Sequence, residues 1–404
     1  MKEQVSKNAP FFASLLMFFV FAAFSASQYH TWVMEFQKGF APKEVGSFMM
    51  IGALNYMLAP FVLRGLNKLG IPSKYSLSFL LVLQATLLYA YPHTQSFFMT
   101  ALCFSGMALL NYTNSSMVSS TALFATSIDT TSSSKSANGS FLFSRSMGTA
   151  GFALLCALSA FLIGSDTLGF TPTDMYPIFA GLALLASIIS FFGPNVLPKH
   201  DSKTSLIKVI SELKKPPFPK LIFLISIANA CAFAGASLTG NFISSEMKLP
   251  ESLIGSAWTL ATAVEIPLIW LAIILIHKLD LRYIFAIGAL STALKLLITA
   301  FSYSPTSILV AQIFHGFHFG VSIAAFGILV KRIVSPDKVV ELMLWASLLY
   351  TGVATSIGGK LSGLIWEIAG LRNLFLAMGV LCLLSSIGIL FLNKNDFLEV
   401  KKAS

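Results

Sequence analysis

The sequence predicts an all-α membrane protein in which twelve transmembrane helices form two pseudo-symmetric six-helix bundles. Three observations predict it. Twelve apolar runs, each close to the roughly 20 residues a helix needs to cross a bilayer, fill almost all of the 404 residues. The chain is 55% hydrophobic and 11% charged, with mean hydropathy +0.78, a balance that would give a soluble domain an aggregating surface. The cations also alternate. Of 27 Lys and Arg residues, twenty fall at ends and breaks on the side of the N-terminus, and only Lys38, Lys43, Lys248 and Arg372 fall on the other. The positive-inside rule then places both termini in the cytoplasm, which requires an even number of spans. The net charge of +10 is thus a topology signal with no nucleic-acid partner implied. The remaining three cations, Arg145, Lys295 and Lys360, lie inside spans.

Span 1 (11–36) is followed directly by another run, with no small-residue cleavage site, so it reads as a retained helix and not a signal peptide. Near its end His30 sits with Tyr29 and Trp32, either lining an outer vestibule or forming part of an aromatic belt, and Glu35 is interfacial. Span 2 (44–65) opens on Val45-Gly46-Ser47 and is followed by the basic turn Arg64 to Lys74 and span 3 (73–92). Span 4 (97–121) carries Asn111-Tyr112-Thr113-Asn114-Ser115-Ser116, which is unusual for a lipid-facing helix. These amides and hydroxyls bond either other helices or a ligand. The second reading makes Asn111 and Asn114 substrate-binding candidates on a partly wet cavity face.

Span 5 (140–164) holds Arg145, with Gly148, Gly151 and Phe152 beyond it. Two readings stand for the arginine: its long stem lets it snorkel to the interface, or the two glycines admit a neighbouring helix and pack it into the interior. Span 6 (175–194) closes the first half. The lysine- and proline-rich break from Asn195 to Pro219 divides the spans six and six, giving an N-terminal bundle over 1–195, a cytoplasmic linker over 196–217 and a C-terminal bundle over 218–404.

Span 7 (218–244) carries Asn229 and Asn241, polar candidates of the same kind as those in span 4. Span 8 (252–276) opens on Ile254-Gly255-Ser256, 209 residues after its counterpart in span 2, and is likewise followed by a basic turn, a weak parallel duplication. At its middle lies Glu265. An ionisable group at midplane costs several kcal/mol unless paired or wetted, and a desolvated carboxyl readily keeps a proton at working pH, as proton coupling requires. A neutral, purely structural glutamic acid is the alternative. Lys295 in span 9 (281–303) is its natural partner, or a partner for a substrate anion. Span 10 (305–331) carries Gln312, His315 and His318, and the i, i+3 spacing places both imidazoles on one face. They titrate, bind substrate or form a structural pair. No Cys or Asp joins them within those spans, so neither metal nor cofactor is expected. In span 11 (339–366) Lys360 reads equally as a snorkelling or a functional cation, Glu367 is interfacial, and span 12 (371–392) completes the set.

Cys103, Cys156, Cys231 and Cys382 all fall in spans and read as packing residues. The Asn-X-Ser/Thr matches at Asn111, Asn114 and Asn138 lie in a span or face the cytoplasm, so none is expected to be glycosylated. No extramembrane segment is long enough for a receptor or ATPase domain. There is also no phosphate-binding glycine loop, and no nucleophile, base and orienting group share a depth as an intramembrane enzyme would require.

The count, the linker and the duplication resemble the major facilitator superfamily, whose substrate site lies at midplane between two six-helix halves. Arg64-Gly65-Leu66-Asn67-Lys68-Leu69-Gly70 resembles its loop signature, with Asn67 in place of the usual Asp. Within the superfamily the chain is similar to the branch of lactose permease, the nucleoside:proton symporters and the phenylpropionic acid transporters. Arg145-x-x-Gly148-x-x-Gly151-Phe152 resembles that branch's span 5 pattern, which implies that Arg145 binds substrate and Phe152, in place of Trp, stacks on it. Glu265, Lys295 and His315 fall where the branch has its span 8 carboxylate, span 9 Arg and span 10 His. Gln312 to Gly320 looks most like the phenylpropionic acid group.

Two departures matter. The span 4 Glu that pairs with the sugar-binding Arg has no counterpart among Ser115 to Ser127, and the span 10 carboxylate is His318 here. Surplus positive charge near Phe152, Phe317 and Phe319 suits a small organic anion. The expectation is proton-coupled uptake by a monomer in a bacterial inner membrane. Arg145, Phe152, Glu265, Lys295, Gln312, His315, Asn111, Asn114 and Asn241 would contact substrate, and Glu265, His315 and His318 would carry protons. A sugar or nucleoside symporter, or an efflux transporter of the same fold, is the alternative.

Overall fold

The computed structural model describes residues 9–127, 134–194, 214, 218–322, 325–326, 329–330 and 348–394. Most of the linker, the end of span 10, the start of span 11 and both termini lie outside these residues. Among the described residues there is no strand, and nine stretches are long and apolar enough to cross a membrane. Spans 1 to 6 are α1 (Ala9–Phe24), extended by short turns to Gln37, then α2 (Pro42–Tyr56) with α3 (Ala59–Lys68), α4 (Ser73–Ala90), α5 (Phe97–Ser127), α6 (Ser134–Ile163) and α7 (Tyr176–Phe192). Spans 7 to 9 are α8 (Phe218–Asn241), α9 (Ser252–Lys278) and α10 (Leu281–Ala300). Span 10 begins as α11 (Pro305–Ile313), and α12 (Ala354–Leu390) holds spans 11 and 12, broken at Gly370, whose φ of +82° suits a residue without Cβ.

The 209-residue repeat is carried into the backbone. Span 1 ends in a π-helical segment, Val33–Gln37, and span 7 ends in another, Phe242–Glu246, at the same offset. Each places a polar side chain on a later helix start: Gln37 accepts from Thr173 Oγ1 at 2.9 Å, and Glu246 pairs with Arg372 at 3.1 Å.

The chain forms two compact units, one of Met1–Lys38, Leu58–His200 and Pro250–Ala263, the other of Gly39–Met57, Asp201–Leu249 and Val264–Ser404. In the first unit the core packs Leu16, Met17 and Val20 of α1 against Leu77, Leu80 and Leu81 of α4 and Met117 and Val118 of α5. Gly151 lets α6 lie on α1, since a Cβ there would fall 2.2 Å from the carbonyl oxygen of Phe18. Gly255 does the same for the start of α9 on α6, where a Cβ would fall 2.6 Å from the carbonyl of Cys156. In the second unit Gly46 of α2 faces Gly363 of α12, and a Cβ on either would fall 2.6 Å from the other's Cα. Close backbone approach through small residues is how helices associate where lipid removes the hydrophobic drive.

Polar clamps close the helix ends. Lys38 donates to the carbonyls of Tyr91 (2.9 Å), Pro92 (3.2 Å) and Thr94 and to Thr94 Oγ1 (3.0 Å), capping the end of span 3. In the second unit Arg372 donates to the carbonyls of Ala300 and Ser302, both at 2.9 Å, at the end of span 9. Replacing Lys38 with Met leaves those carbonyls without their cation. It is expected to destabilise the first unit by about 2 kcal/mol, the scale of a charge-assisted bond in a protected site, read as a lowered unfolding temperature of the detergent-solubilised protein.

Candidate functional site

Span 10 does not run as one helix. α11 stops at Ile313, and Phe314 turns, its N–H bonding the carbonyl of Ala311. The Phe314 carbonyl is taken by Ser291 Oγ of α10 at 2.5 Å. The chain then continues as a π-helical segment, Phe317–Ser322, held against α10 where Gly288 leaves room for Ser322. Single π-turns inside helices recur at functional sites because they redirect side chains without ending the helix. Here the irregularity turns His315, His318 and Phe319 to one small cavity.

That cavity, of about 10 Å³, is close to the space one water needs and is lined by Ala232, Thr292, Lys295, Leu296, Phe314, His315, His318 and Phe319. Lys295 is 4% exposed, and its Nζ lies 2.9 Å from His315 Nδ1. An ammonium has no lone pair, so a protonated Lys295 donates here and the imidazole then accepts at Nδ1 with its ring proton on Nε2. His318 Nε2 meets Asn229 Oδ1 of α8 at 3.3 Å and therefore donates, while its Nδ1 has no hydrogen-bond partner among the described residues. Phe319 sits between the imidazoles, stacked on His315 at 4.7 Å and edge-on to His318 at 5.0 Å.

Glu265 is 6% exposed, on the helix beside this segment. A Cβ on Gly316 would fall 2.9 Å from its Cα, and one on Gly320 would fall 3.5 Å from its Cγ. The spacing Gly316-x-x-x-Gly320 thus seats span 10 directly on the carboxylate-bearing turn of α9. Lys295, His315, His318 and Glu265 are buried in one unit, on adjoining elements.

The other sequence-predicted residues are placed as follows. In the same unit Gln312 and Asn241 are buried but do not line the cavity. In the other unit Arg145 stacks its guanidinium over the Phe21 ring of α1 at 4.9 Å, a packed arrangement made possible by Gly148 and Gly151. Phe152 lies between Phe24 at 6.1 Å and Trp258 at 5.8 Å. Asn111 and Asn114 are joined through Gln84 of α4, which donates to Asn111 Oδ1 and accepts from Asn114 Nδ2 at 2.6 Å. Lys360 donates to Ser47 Oγ at 2.7 Å, and Glu367 pairs with Lys43 at 3.1 Å. His30 packs among Tyr91, Phe104 and Tyr176, with Nδ1 2.8 Å from the Tyr176 hydroxyl. No group of three or more His, Cys, Asp or Glu suited to a metal occurs among the described residues.

Sequence reasoning missed Thr292, Phe314 and Ala232 as cavity walls and Trp258 as the partner of Phe152. It also did not pair Asn229 with His318. The mixed polarity of Ala228-Asn229-Ala230 in an apolar span was the one available signal.

A family model described as MFS_1 like family matches residues 12–377. No curated protein sequence matches the chain. Among solved structures the chain is similar to the nucleoside transporter NupG, at 12% identity over 98% of this chain and 100% of that one, with TM-score 0.78. It is also similar to a bacterial homolog of the human lysosomal transporter Spinster in an inward-facing, unoccupied conformation, at 13% identity, 98% of both chains and TM-score 0.72. A POT family transporter in complex with a thioalcohol-conjugated peptide is similar at 11% identity, 94% of this chain and 95% of that one, with TM-score 0.72. At these identities the likeness is one of fold.

Proposed function

Because the chain belongs to the MFS_1 like family, we propose that it is a secondary transporter importing a small organic anion together with a proton. It is an integral multi-pass membrane protein, and the bilayer proposed for it is a bacterial inner membrane, with both termini cytoplasmic. Transport follows from alternating exposure of a midplane site. The observation that carries the substrate class is the buried Lys295 amino group against His315 in a cavity walled by Phe314 and Phe319. A carboxylate entering there replaces lost hydration of the cation with a charge-assisted bond, and an aromatic or apolar body finds rings to pack on. Cavity growth from water size to ligand size accompanies the rocking of helices that alternating access requires. Glu265, pressed between α9 and the glycines of span 10, is the proposed proton carrier, with His315 and His318 as the relay. Arg145 and Phe152 are proposed to act in substrate binding within their own unit.

One observation favours a second reading: a solved structure of similar fold is a nucleoside transporter. A thermal-shift panel of aromatic monocarboxylates, nucleosides and sugars separates the two. The carboxylates are expected to raise the unfolding temperature, by roughly 2–4 °C at a hundred times the dissociation constant, where linkage contributes about 2.7 kcal/mol. A rise with nucleosides or sugars and none with any carboxylate overturns the anion reading.

A further inference from the structure

The second unit carries a groove unrelated to the buried cations. It runs between the first turns of α8 and the last turns of α12, has a volume of about 330 Å³, and is walled by Phe223, Leu224, Phe391 and Leu392 with Lys220 on its rim. That volume lies within the about 300–1,000 Å³ of small-ligand clefts. Its floor exists because residue 388 is glycine: a Cβ there would stand 3.0 Å from Leu224 Cδ2, and any longer side chain would fill the space. Phe223 and Phe391 are 66% and 84% exposed, so the walls are an unsatisfied apolar surface at a helix end and not a packed seam.

The charges around it have one sign in excess. Lys220 is exposed. Arg282 donates to the carbonyl of Leu392 at 2.9 Å, and Lys394 follows two residues later. The acid nearby, Asp280, is spoken for. Burial would raise its carboxyl, but bonds from Arg282, aided by the field of Lys394, outweigh this and hold it below its usual value. Apolar walls that reach Leu224, about 6 Å along the helix from Lys220, with cations at the mouth, match the acyl root and headgroup of a lipid in the leaflet that the cation-rich end faces.

We propose that this groove binds an anionic phospholipid, its phosphate at Lys220 and an acyl chain over Gly388. Each lysine near an anionic headgroup contributes enough to change affinity about fivefold. The full-length protein, purified in detergent, is titrated with dioleoyl phosphatidylglycerol and dioleoyl phosphatidylcholine and read by native mass spectrometry and by unfolding temperature. Phosphatidylglycerol is expected to be retained in preference. Lys220→Gln should weaken its binding about fivefold, Lys220→Arg should keep it, and Gly388→Leu should abolish the preference without changing any charge. Should Gly388→Leu fail to fold, the glutamine and arginine variants decide alone. Equal retention of the two lipids overturns the proposal. So does phosphatidylglycerol binding that Lys220→Gln leaves untouched, or a dimer through this face that forms regardless of lipid.

Discussion

Lys295→Met is expected to abolish substrate uptake while leaving the protein folded in the membrane. Methionine matches the unbranched stem and fills the same space, so the change removes one charge and little volume. In a buried site the loss of one partner from a charge-assisted pair costs about 2–5 kcal/mol, which is roughly 30-fold to several-thousand-fold in affinity. Uptake into proteoliposomes at low substrate should fall by at least the smaller factor. His315 would then lack the partner now 2.9 Å from its Nδ1, so a modest loss of stability, on the order of 1–3 kcal/mol and read as a lowered unfolding temperature, should accompany the transport defect. Lys295→Arg keeps the charge but presents a larger, planar fork, and should retain part of the activity. Wild-type uptake by the methionine variant would remove Lys295 from the substrate site.

Glu265→Gln should separate transport from its driving force. The amide keeps the shape of the carboxyl and its place against Gly316 and Gly320, but cannot release a proton. One proton moving down a gradient of about two pH units supplies about 2.7 kcal/mol, enough for roughly hundredfold accumulation by a one-to-one symporter. In the glutamine variant accumulation should collapse to equilibration, while exchange of external for internal substrate continues, because exchange needs no net proton movement. Uphill accumulation that survives in this variant would place the coupling proton elsewhere, and accumulation indifferent to protonophores in the wild type would remove coupling altogether.

The spans were legible because the bilayer demands long apolar runs, and the break placed between spans 11 and 12 coincides with Gly370 at positive φ. The duplication was legible as a glycine pair, Gly46 and Gly255, and the structure gives both the same task of admitting a backbone at 2.6 Å. The i, i+3 spacing placed His315 and His318 on one face, and both line one cavity, although the segment that carries them is not a regular α-helix. Other features lay beyond reach of sequence for physical reasons. Hydrogen-bond register decides between α and π turns, so the break at Phe314 and the capture of its carbonyl by Ser291 depend on a neighbour 23 residues away. An Asn in a span reads the same whether it meets a ligand or another amide. Asn111 and Asn114 meet Gln84, 27 and 30 residues earlier. Arg145 posed a choice between snorkelling and packing, and the ring its guanidinium covers, that of Phe21, lies on a different helix.

Direct binding tests the central claim, that the buried lysine–histidine pair of span 9 and span 10 receives a carboxylate. The carboxylate that most raises the unfolding temperature of the wild type is titrated into purified wild type and Lys295→Met by calorimetry. The account predicts saturable binding to the wild type and a loss of at least about 30-fold in the variant. Equal affinity in the two proteins would contradict it.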